Sequence, residues 1–253
     1  MKNTVLNRIR IVLVEPAGGL NVGSIARIMK NMELLQLVVV NPQCDLWGEA
    51  ARQMAVHAAD VLESATVVKT LPEALVGCQR AIATTGRDAA IPDIPVASPR
   101  WALPWLLEDA SASAALIFGR EDRGLTNQEL HYAQRLLRIP TGDRYPSLNL
   151  AQAVAICCYE LHELSGRQQP PIAPTSPTNL AAREQIEAYY EQLESLLLAI
   201  GYLYPHTAAS RMEKVRRLLN RALPASEEIA LLRGMLSQME WALQTARSSQ
   251  SDR

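Results

Sequence analysis

Short apolar runs rich in β-branched residues alternate with helix-like patterns from the start of the chain to residue 166. The first run, Arg8 to Val14, predicts a strand that is buried on both faces. Alternation of this kind favours an α/β fold, in which a parallel sheet carries helices on both faces. Further strands are predicted at 35–40, 66–68, 80–84, 114–118 and 136–139, and helices at 22–32, 50–59, 71–76, 101–107 and 149–163.

The character of the sequence changes after Gly166. Residues 168–177 contain four prolines and predict a stiff, exposed linker. Helical periodicity without strand signals then returns, at 180–200, 208–222 and 226–246. We therefore predict three parts: an α/β domain over residues 1–166, a proline-rich linker over 167–178 and a small all-α extension over 179–253.

Composition excludes several kinds of protein. An apolar fraction of 48% with 20% charged residues is ordinary for a globular chain, and a net charge of −1 argues against nonspecific coating of nucleic acid. The N-terminus lacks a signal-type apolar run, and no segment approaches the roughly 18 apolar residues of a membrane span, so a cytoplasmic protein is expected. Because the four cysteines have no C-x-x-C spacing and the histidines no paired ligand spacing, neither a disulfide framework nor a metal site is predicted.

Three polar turns follow predicted strands and lead into helices. In the first, residues 21–27, the glycine spacing differs from the G-x-G-x-x-G dinucleotide fingerprint, which argues against a nucleotide-dependent oxidoreductase. In the third, residues 145–154, the Ser147 hydroxyl and the Asn149 amide lie at a helix start, where free N–H groups can hold a ligand. Capping of that helix by Ser147 is the alternative. Because all three turns stand in the same relation to their strands, we expect them to form a single site.

The second turn, residues 119–124, has two arginines and two acids between glycines that allow close backbone approach or a positive φ. Thr126 and Glu129 resemble a capping box for the helix that follows. Two interpretations are open. The turn either faces a polyanion, with Glu121 orienting neighbouring groups, or is a charged surface loop with internal ion pairs.

The residues that carry these turns are Asn21-x-Gly-x-x-Ala-Arg27, Phe118-Gly-Arg-Glu-x-x-Gly-Leu-Thr-Asn127 and Tyr145-x-Ser-Leu-Asn-Leu-Ala-x-Ala-Val154. In this order and spacing they resemble the three motifs of the SpoU/TrmH group of SPOUT RNA 2′-O-methyltransferases. The opening Arg10-Ile-Val-Leu-Val-Glu15 and the tail segment Met212-Glu-Lys-Val-Arg-Arg-Leu218 look like the bacterial TrmJ branch of that group. Members of this branch methylate the ribose of nucleotide 32 in the tRNA anticodon loop. The resemblance covers residues 8–163 closely and the tail more loosely.

The resemblance implies a C-terminal trefoil knot in which S-adenosylmethionine lies bent. The implied cofactor contacts are Thr84, Thr85, Gly86, Gly119, Ile139, Pro146, Ser147 and Leu148, and the implied catalytic set is Arg27, Asn21, Glu121, Ser147 and Asn149. It also implies a homodimer whose site is completed across the interface, and the small-residue helix from Leu150 to Ile156 is compatible with such close packing. The chain departs from the family pattern at Glu33, where a glycine is common, and at Thr85-Gly86, where relatives often carry other small residues.

A second surface is predicted for RNA. Residues 211–221 hold five basic residues and one acid on a predicted helix, so that several of them share a face. Such a stripe suits phosphate contacts, and a solvated helix flank is the alternative. The predicted RNA contacts are Arg27, Arg120, Arg123, Arg211, Lys214, Arg217 and Arg221. Methylation of another tRNA or rRNA site, or a catalytically silent RNA-binding homologue, are the alternative functions.

Overall fold

A computed structural model describes residues 5–86, 94–109, 111–166 and 179–251, with side chains up to residue 246. The chain divides into two compact units, Met1–Pro174 and Thr175–Arg253. The division falls within the predicted linker, 167–178, which lies outside the described residues. In the described parts of the chain, no helix is long and apolar enough to cross a membrane.

The first unit contains a parallel sheet. Its strands are β1 (Ile9–Val14), β2 (Gln36–Val40), β3 (Thr66–Val68), β4 (Cys78–Thr84), β5 (Val96–Ala97), β6 (Ser113–Phe118) and β7 (Arg135–Leu137). Among the described residues these seven strands form one sheet in the order β3-β2-β1-β6-β4-β7-β5, and every neighbouring pair is parallel. The α/β prediction is therefore confirmed. Strand β5 was not predicted, because a strand of two residues is too short to show a period.

Helices connect the strands of this unit. They are α1 (Gly19–Asn31), α2 (Glu49–Ala55), α3 (Ala59–Glu63), α4 (Leu71–Ala74), α5 (Pro99–Ala102), α6 (Pro104–Leu107), α7 (Asn127–Leu130) and α8 (Leu150–Gly166). Two predicted helices are interrupted. The helix expected at 101–107 is split at Pro104, whose ring has no N–H to continue a helical ladder. The helix expected at 50–59 breaks at Val56, where φ is +51°.

The capping box predicted for α7 is confirmed. The Thr126 side chain accepts a hydrogen bond from the Glu129 N–H, and the Glu129 carboxylate accepts one from the Thr126 N–H. These reciprocal bonds satisfy N–H groups that the first helical turn leaves without partners. They fix where the loop after β6 ends.

The sheet positions the candidate site through its carboxyl edge. Strands β1 and β6 are buried along nearly their whole length. Because all the strands run in the same direction, the segments that leave β1, β4, β6 and β7 lie along one edge, as ligand sites in parallel sheets do. The first of these segments leads into α1, which packs tightly on α2: a Cβ added at Gly23 would fall 2.1 Å from the Ala51 carbonyl oxygen. Only glycine fits this helix contact.

The predicted trefoil knot concerns how the segment after β7 threads past the other loops of this edge. Strand order alone does not test threading. The knot therefore stays a prediction, and such threading is rare among folds in general.

The second unit consists, in its described part, of α9 (Arg183–Ala199), α10 (Pro205–Ala222) and α11 (Ser226–Ser251). The helical prediction for this part of the chain is confirmed. The helices share their own apolar core, which includes Tyr190, Met212 and Ile229. A buried arginine joins α9 to α10: Arg183 is 2% exposed and donates to Asn220 Oδ1 at 3.1 Å.

Candidate functional site

A cleft of about 310 Å³ opens at the carboxyl edge of the sheet. Its walls come from the segments that follow β4, β6 and β7 and from the start of α8. All eight residues implied as cofactor contacts line it: Thr84, Thr85, Gly86, Gly119, Ile139, Pro146, Ser147 and Leu148. Their distribution over three segments of the chain brings distant parts of the sequence to one concave surface of the size usual for small-molecule sites.

The loop after β6 forms one wall of the cleft by folding back on itself. Gly124 has φ +67°, and its N–H donates to the Arg120 carbonyl at 2.8 Å. A Cβ at Gly119 would fall 2.3 Å from both the Gly124 carbonyl carbon and the Leu125 nitrogen. The two glycines are therefore required by the closure of the loop itself.

Glu121 joins this loop to the start of α1. Its carboxylate accepts hydrogen bonds from the Ala17 N–H at 2.9 Å, from the Gly18 N–H at 3.1 Å and from the Asn21 side-chain amide at 2.9 Å. Burial by itself raises the pKa of the Glu121 carboxyl, but these donors outweigh burial, and the net shift of the pKa is downward. Glu121 is thus a fixed anion near neutral pH.

Asn149 joins the same group to α8. Its Oδ1 accepts from the Ala151 N–H at 2.8 Å, and its Nδ2 donates to Asn21 Oδ1 at 2.9 Å. Because the Ala151 N–H needs an acceptor, the Asn149 amide must turn its oxygen towards Ala151 and its NH₂ towards Asn21. The oxygen of Asn21 therefore faces Asn149, and its NH₂ faces Glu121. A hydrogen-bonded chain, Glu121–Asn21–Asn149, therefore joins the loop after β6 to the starts of α1 and α8. Residues 21–27, predicted as a polar turn, belong to α1 instead.

The helix cap at the third turn is Asn149. The alternative in which Ser147 caps α8 is wrong: Asn149 is the residue directly before the helix, and the Gln152 side chain accepts its N–H at 3.2 Å in the manner of a capping box. Ser147 instead lies in the wall of the cleft. Its hydroxyl has no protein partner among the described residues.

The arginines of the second turn are ion-paired within the protein. Arg123 Nη2 lies 2.7 Å from Glu15 Oε2, and its Nη1 lies 3.4 Å from Glu129 Oε2. Arg120 Nε lies 3.0 Å from Asp122 Oδ1. Of the two interpretations left open for this turn, the internal ion pairs are present. Both side chains still line the cleft.

Two residues that the sequence analysis did not single out support this turn. Glu15 and Asn41 directly follow β1 and β2 with φ of +49° and +44°, and Asn41 Nδ2 donates to Glu15 Oε1 at 3.1 Å. Hydrogen bonds from Arg123 and then from Asn41 hold the pKa of the Glu15 carboxyl below its usual value. The available signal was an acid placed directly after a buried strand, at the edge where the other polar turns lie.

Arg27 lies apart from the cleft. It is exposed on α1, is not among the lining residues, and makes no side-chain hydrogen bond or ion pair with the described residues. Its position is six residues, or about 9 Å of helical rise, beyond Asn21. Of the predicted catalytic set, the structure therefore brings Asn21, Glu121, Ser147 and Asn149 together and leaves Arg27 outside.

The predicted basic stripe lies on α10 in the second unit. Arg211, Lys214 and Arg221 are exposed, and Arg217 is half-buried. The Arg211 side chain reaches back to the loop before α10, where its Nη1 donates to the Tyr202 carbonyl at 2.9 Å. Arg216 has a structural role, because it pairs with Glu187 of α9 at 2.6 Å.

Comparison with known proteins agrees with these features. Family models match for the SpoU rRNA Methylase family over residues 8–159 and for the tRNA methyltransferase TrmJ, C-terminal domain, over residues 184–251. The tRNA (cytidine/uridine/adenosine-2′-O-)-methyltransferase TrmJ of Pseudomonas aeruginosa is 40% identical, over 93% of this chain and 95% of its own. The tRNA (cytidine/uridine-2′-O-)-methyltransferase TrmJ of Klebsiella pneumoniae is also 40% identical, over 93% of this chain and 98% of its own. The crystal structure of TrmJ from Z. mobilis ZM4 superposes with a TM-score of 0.81 at 32% identity, covering 91% of this chain and 98% of that one.

The hydrogen-bonded chain gives a prediction for stability. Glu121→Gln replaces a carboxylate oxygen by an NH₂ group that faces donors, so we expect it to lower the free energy of unfolding by about 1–3 kcal/mol at pH 7. Because the pKa of Glu121 is lowered in the folded state, its stabilisation is complete above the unfolded value of about 4.3 and is lost as the pH falls through the folded pKa. Urea unfolding of both proteins between pH 7 and pH 3 should show the difference shrinking in acid.

The matched control is Glu163→Gln, which neutralises an exposed acid of α8 that has no partner among the described residues. It should change stability by less than about 0.5 kcal/mol at either pH. An unchanged stability of Glu121→Gln at pH 7 would contradict the role given to the carboxylate.

Proposed function

The chain belongs to the SpoU methylase family, and on that premise we propose that it is an S-adenosylmethionine-dependent tRNA ribose 2′-O-methyltransferase. The observation that carries this proposal is the convergence of the segments after β4, β6 and β7 on one cleft. Beside that cleft, the Glu121–Asn21–Asn149 chain joins the loop after β6 to the starts of α1 and α8. The curated relatives named above are tRNA 2′-O-methyltransferases. The position within tRNA, nucleotide 32 with cytidine or uridine, comes from the resemblance of the motifs.

The cleft fits the methyl donor chemically. Leu125, Leu137 and Ile139 offer apolar wall to a planar base, while the loops at Gly119 and Leu148 offer backbone groups for its polar edge. S-adenosylmethionine, when bound there, supplies an electrophilic methyl group on a sulfonium. The residues that would hold it are the eight cleft-lining contacts given above.

The work left to the protein is to orient the ribose 2′-hydroxyl and to assist the loss of its proton. Positioning can supply about 7–11 kcal/mol in favourable intramolecular cases. Glu121 is a poor base, because its pKa is lowered and its oxygens are occupied by donors. The side-chain amides of Asn21 and Asn149 are hydrogen-bonded to each other, and that of Asn21 also donates to Glu121. We therefore assign these three residues to positioning the loops.

Arg27 is the residue that we propose meets the RNA at the reacting ribose. A guanidinium keeps its proton in proteins and is a poor general base. It is suited to orient the 2′-hydroxyl or its neighbouring phosphate and to stabilise the developing alkoxide. Water or phosphate then takes the proton.

A homodimer would bring Arg27 to a cleft. Arg27 lies outside the cleft of its own chain. Its helix α1 packs against α8, and the two helices carry three exposed apolar side chains: Leu20, Ile156 and Tyr159. Pairing of two copies through these faces would bury this apolar surface. We propose that each site then combines one protomer's cleft with its partner's Arg27.

The basic side chains of α10 are proposed to contact tRNA phosphates. Arg120 and Arg123 are better assigned to the loop wall, because acids of the same chain neutralise them. Since tRNA is the proposed substrate, we place the protein in the cytoplasm. Cell fractionation should recover it with the tRNA pool, and recovery with membranes would contradict this.

Mapping of ribose methylation tests the function directly. We expect tRNA from cells that lack the gene to lose 2′-O-methylation at nucleotide 32, and the purified chain with S-adenosylmethionine to restore it, as measured by mass spectrometry of nuclease fragments. Methylation at another nucleotide would overturn the position. Absence of methylation on any tRNA or rRNA would favour a silent RNA-binding homologue.

Substitution of the proposed catalytic arginine gives a second prediction. Arg27→Ala should lower the methyl-transfer rate by about 10²–10³-fold, because a charged donor to the developing alkoxide is lost. Its Kd for S-adenosylmethionine, measured by calorimetry, should stay within a few-fold of the original. Arg52→Ala removes an exposed arginine from α2 and serves as the matched control. Methyl transfer by Arg27→Ala within a few-fold of the original would remove Arg27 from the central role.

Charges placed on the exposed face of α8 should lower the molecular mass of the protein in solution if this face pairs two copies. Ile156→Glu with Tyr159→Glu places two charges on the exposed face of α8, and we expect this protein to sediment as a monomer while the original chain sediments as a dimer. Methyl transfer should be lost with the dimer, because each cleft then lacks an arginine. Glu163→Gln on the same helix should leave the mass unchanged. A monomeric original chain, or an active monomer, would contradict the shared site.

A further inference from the structure

The loop between α9 and α10 displays two tyrosines. Tyr202 is 60% exposed and Tyr204 is 55% exposed. Aromatic residues make up only 5% of this chain, so two exposed rings within three positions form an unusual concentration. Exposed aromatic surface of this kind commonly marks a site of contact with another molecule.

The backbone holds these rings outward. Gly201, with φ +75°, ends α9, and the N–H groups of Tyr202 and Leu203 both donate to the Leu197 carbonyl at 3.0 Å. Leu203, between the tyrosines, is 2% exposed and packs into the core of the unit. Because the intervening residue is anchored, the tyrosines stay at the surface, and little conformational entropy is lost when a ligand stacks on them.

Each ring has a stacked neighbour that leaves ring surface open. The Arg211 guanidinium lies 5.3 Å from the Tyr202 ring centroid, within the range of a cation–π contact. The rings of Tyr204 and His206 are stacked, with centroids 5.9 Å apart and an interplanar angle of 24°. These four residues, Tyr202, Tyr204, His206 and Arg211, are called the tyrosine platform below.

The platform adjoins a positively charged helix. From Pro205 to Ala222, α10 carries five lysines and arginines and a single acid, Glu213. Arg216 is neutralised by Glu187, whereas Lys214 is exposed one turn beyond Arg211. Positive charge beside open aromatic rings is the pairing that single-stranded nucleic acid requires, since bases stack on the rings while phosphates meet the cations.

We infer that the tyrosine platform stacks unpaired bases of the RNA substrate, while Lys214 and its neighbours on α10 hold the adjoining phosphates. The inference rests on the proposed function for the choice of RNA and adds the mode of recognition. Paired bases show no open face to a stacking ring, so the platform selects unpaired nucleotides over duplex. A protein partner would match this surface only with acidic side chains, whereas each nucleotide of RNA brings both a base and a phosphate.

The test measures RNA binding by the full-length chain. Fluorescence anisotropy would give Kd for an unmodified tRNA transcript, for a 12-nucleotide single strand and for a blunt duplex of the same composition, over a range of salt concentrations. The combined Tyr202→Ala and Tyr204→Ala substitutions should weaken binding of the tRNA and of the single strand by at least about five-fold, and binding of the duplex by less than two-fold. Tyr202→Phe with Tyr204→Phe keeps the stacking rings and should bind within about two-fold of the original.

Salt dependence separates stacking from charge. Lys214→Ala should reduce the slope of log Kd against log salt by about 0.7 for a single strand, because one phosphate contact is lost, whereas the tyrosine substitutions should leave the slope unchanged. Trp241→Ala removes an equally exposed aromatic ring from α11 and is the matched control, with no expected effect on Kd.

Several results would overturn the inference. These are equal affinity of the alanine and original proteins for tRNA, equal loss on the duplex, or an effect of Trp241→Ala as large as that of the tyrosines. A protein that methylates tRNA with unchanged KM after both alanine substitutions would reject the platform and leave the proposed function standing. A protein that binds the single strand through the platform without methylating any RNA would support the platform and reject the proposed function.

Discussion

The carboxylate of Glu121 is the interaction on which the geometry of the candidate site depends. Its oxygens accept the Ala17 and Gly18 N–H groups and the Asn21 amide, so one anion closes the start of α1 against the loop after β6. Asn149 then joins α8 to the same group through Asn21. Without this anion the N–H groups at the start of α1 would lose their partners, and the loops that form the cleft would have no common anchor.

The hydrogen bonds of this group are the reason that we assign its polar residues to positioning the loops and not to the chemical step. The side chains of Asn21, Glu121 and Asn149 are polar and lie at the sheet edge where ligands bind, yet their hydrogen-bonding groups are occupied by one another and by the backbone. The cleft beside them is lined by backbone, by the Ser147 hydroxyl and aliphatic side chains, and by the ion-paired arginines of the loop after β6. A rigid support of this kind lets a weak nucleophile be aligned without reorganisation during the reaction.

The two units differ in the surroundings of their basic residues. The first holds the cleft, and its arginines at the loop after β6 are neutralised by Glu15, Asp122 and Glu129. The second carries its positive charge on α10, beside exposed aromatic rings. A net charge of −1 is therefore compatible with the proposed RNA contacts, because the distribution of the charge matters more than the sum.

Features that depend on near neighbours in the chain could be predicted from the sequence. Alternating periods predicted six of the strands and the parallel sheet, and Thr126 with Glu129 predicted a capping box, because residues three positions apart meet in the first turn of any helix. The motif residues indicated which side chains belong to the candidate site. Their pairing could not be predicted in this way: Asn149 rather than Ser147 caps α8, Glu15 holds Arg123, and Arg27 lies outside the cleft. The physical reason is distance along the chain. Glu121 meets Gly18 across 103 positions and Asn149 meets Asn21 across 128, and such contacts exist only once the sheet has brought its carboxyl ends together.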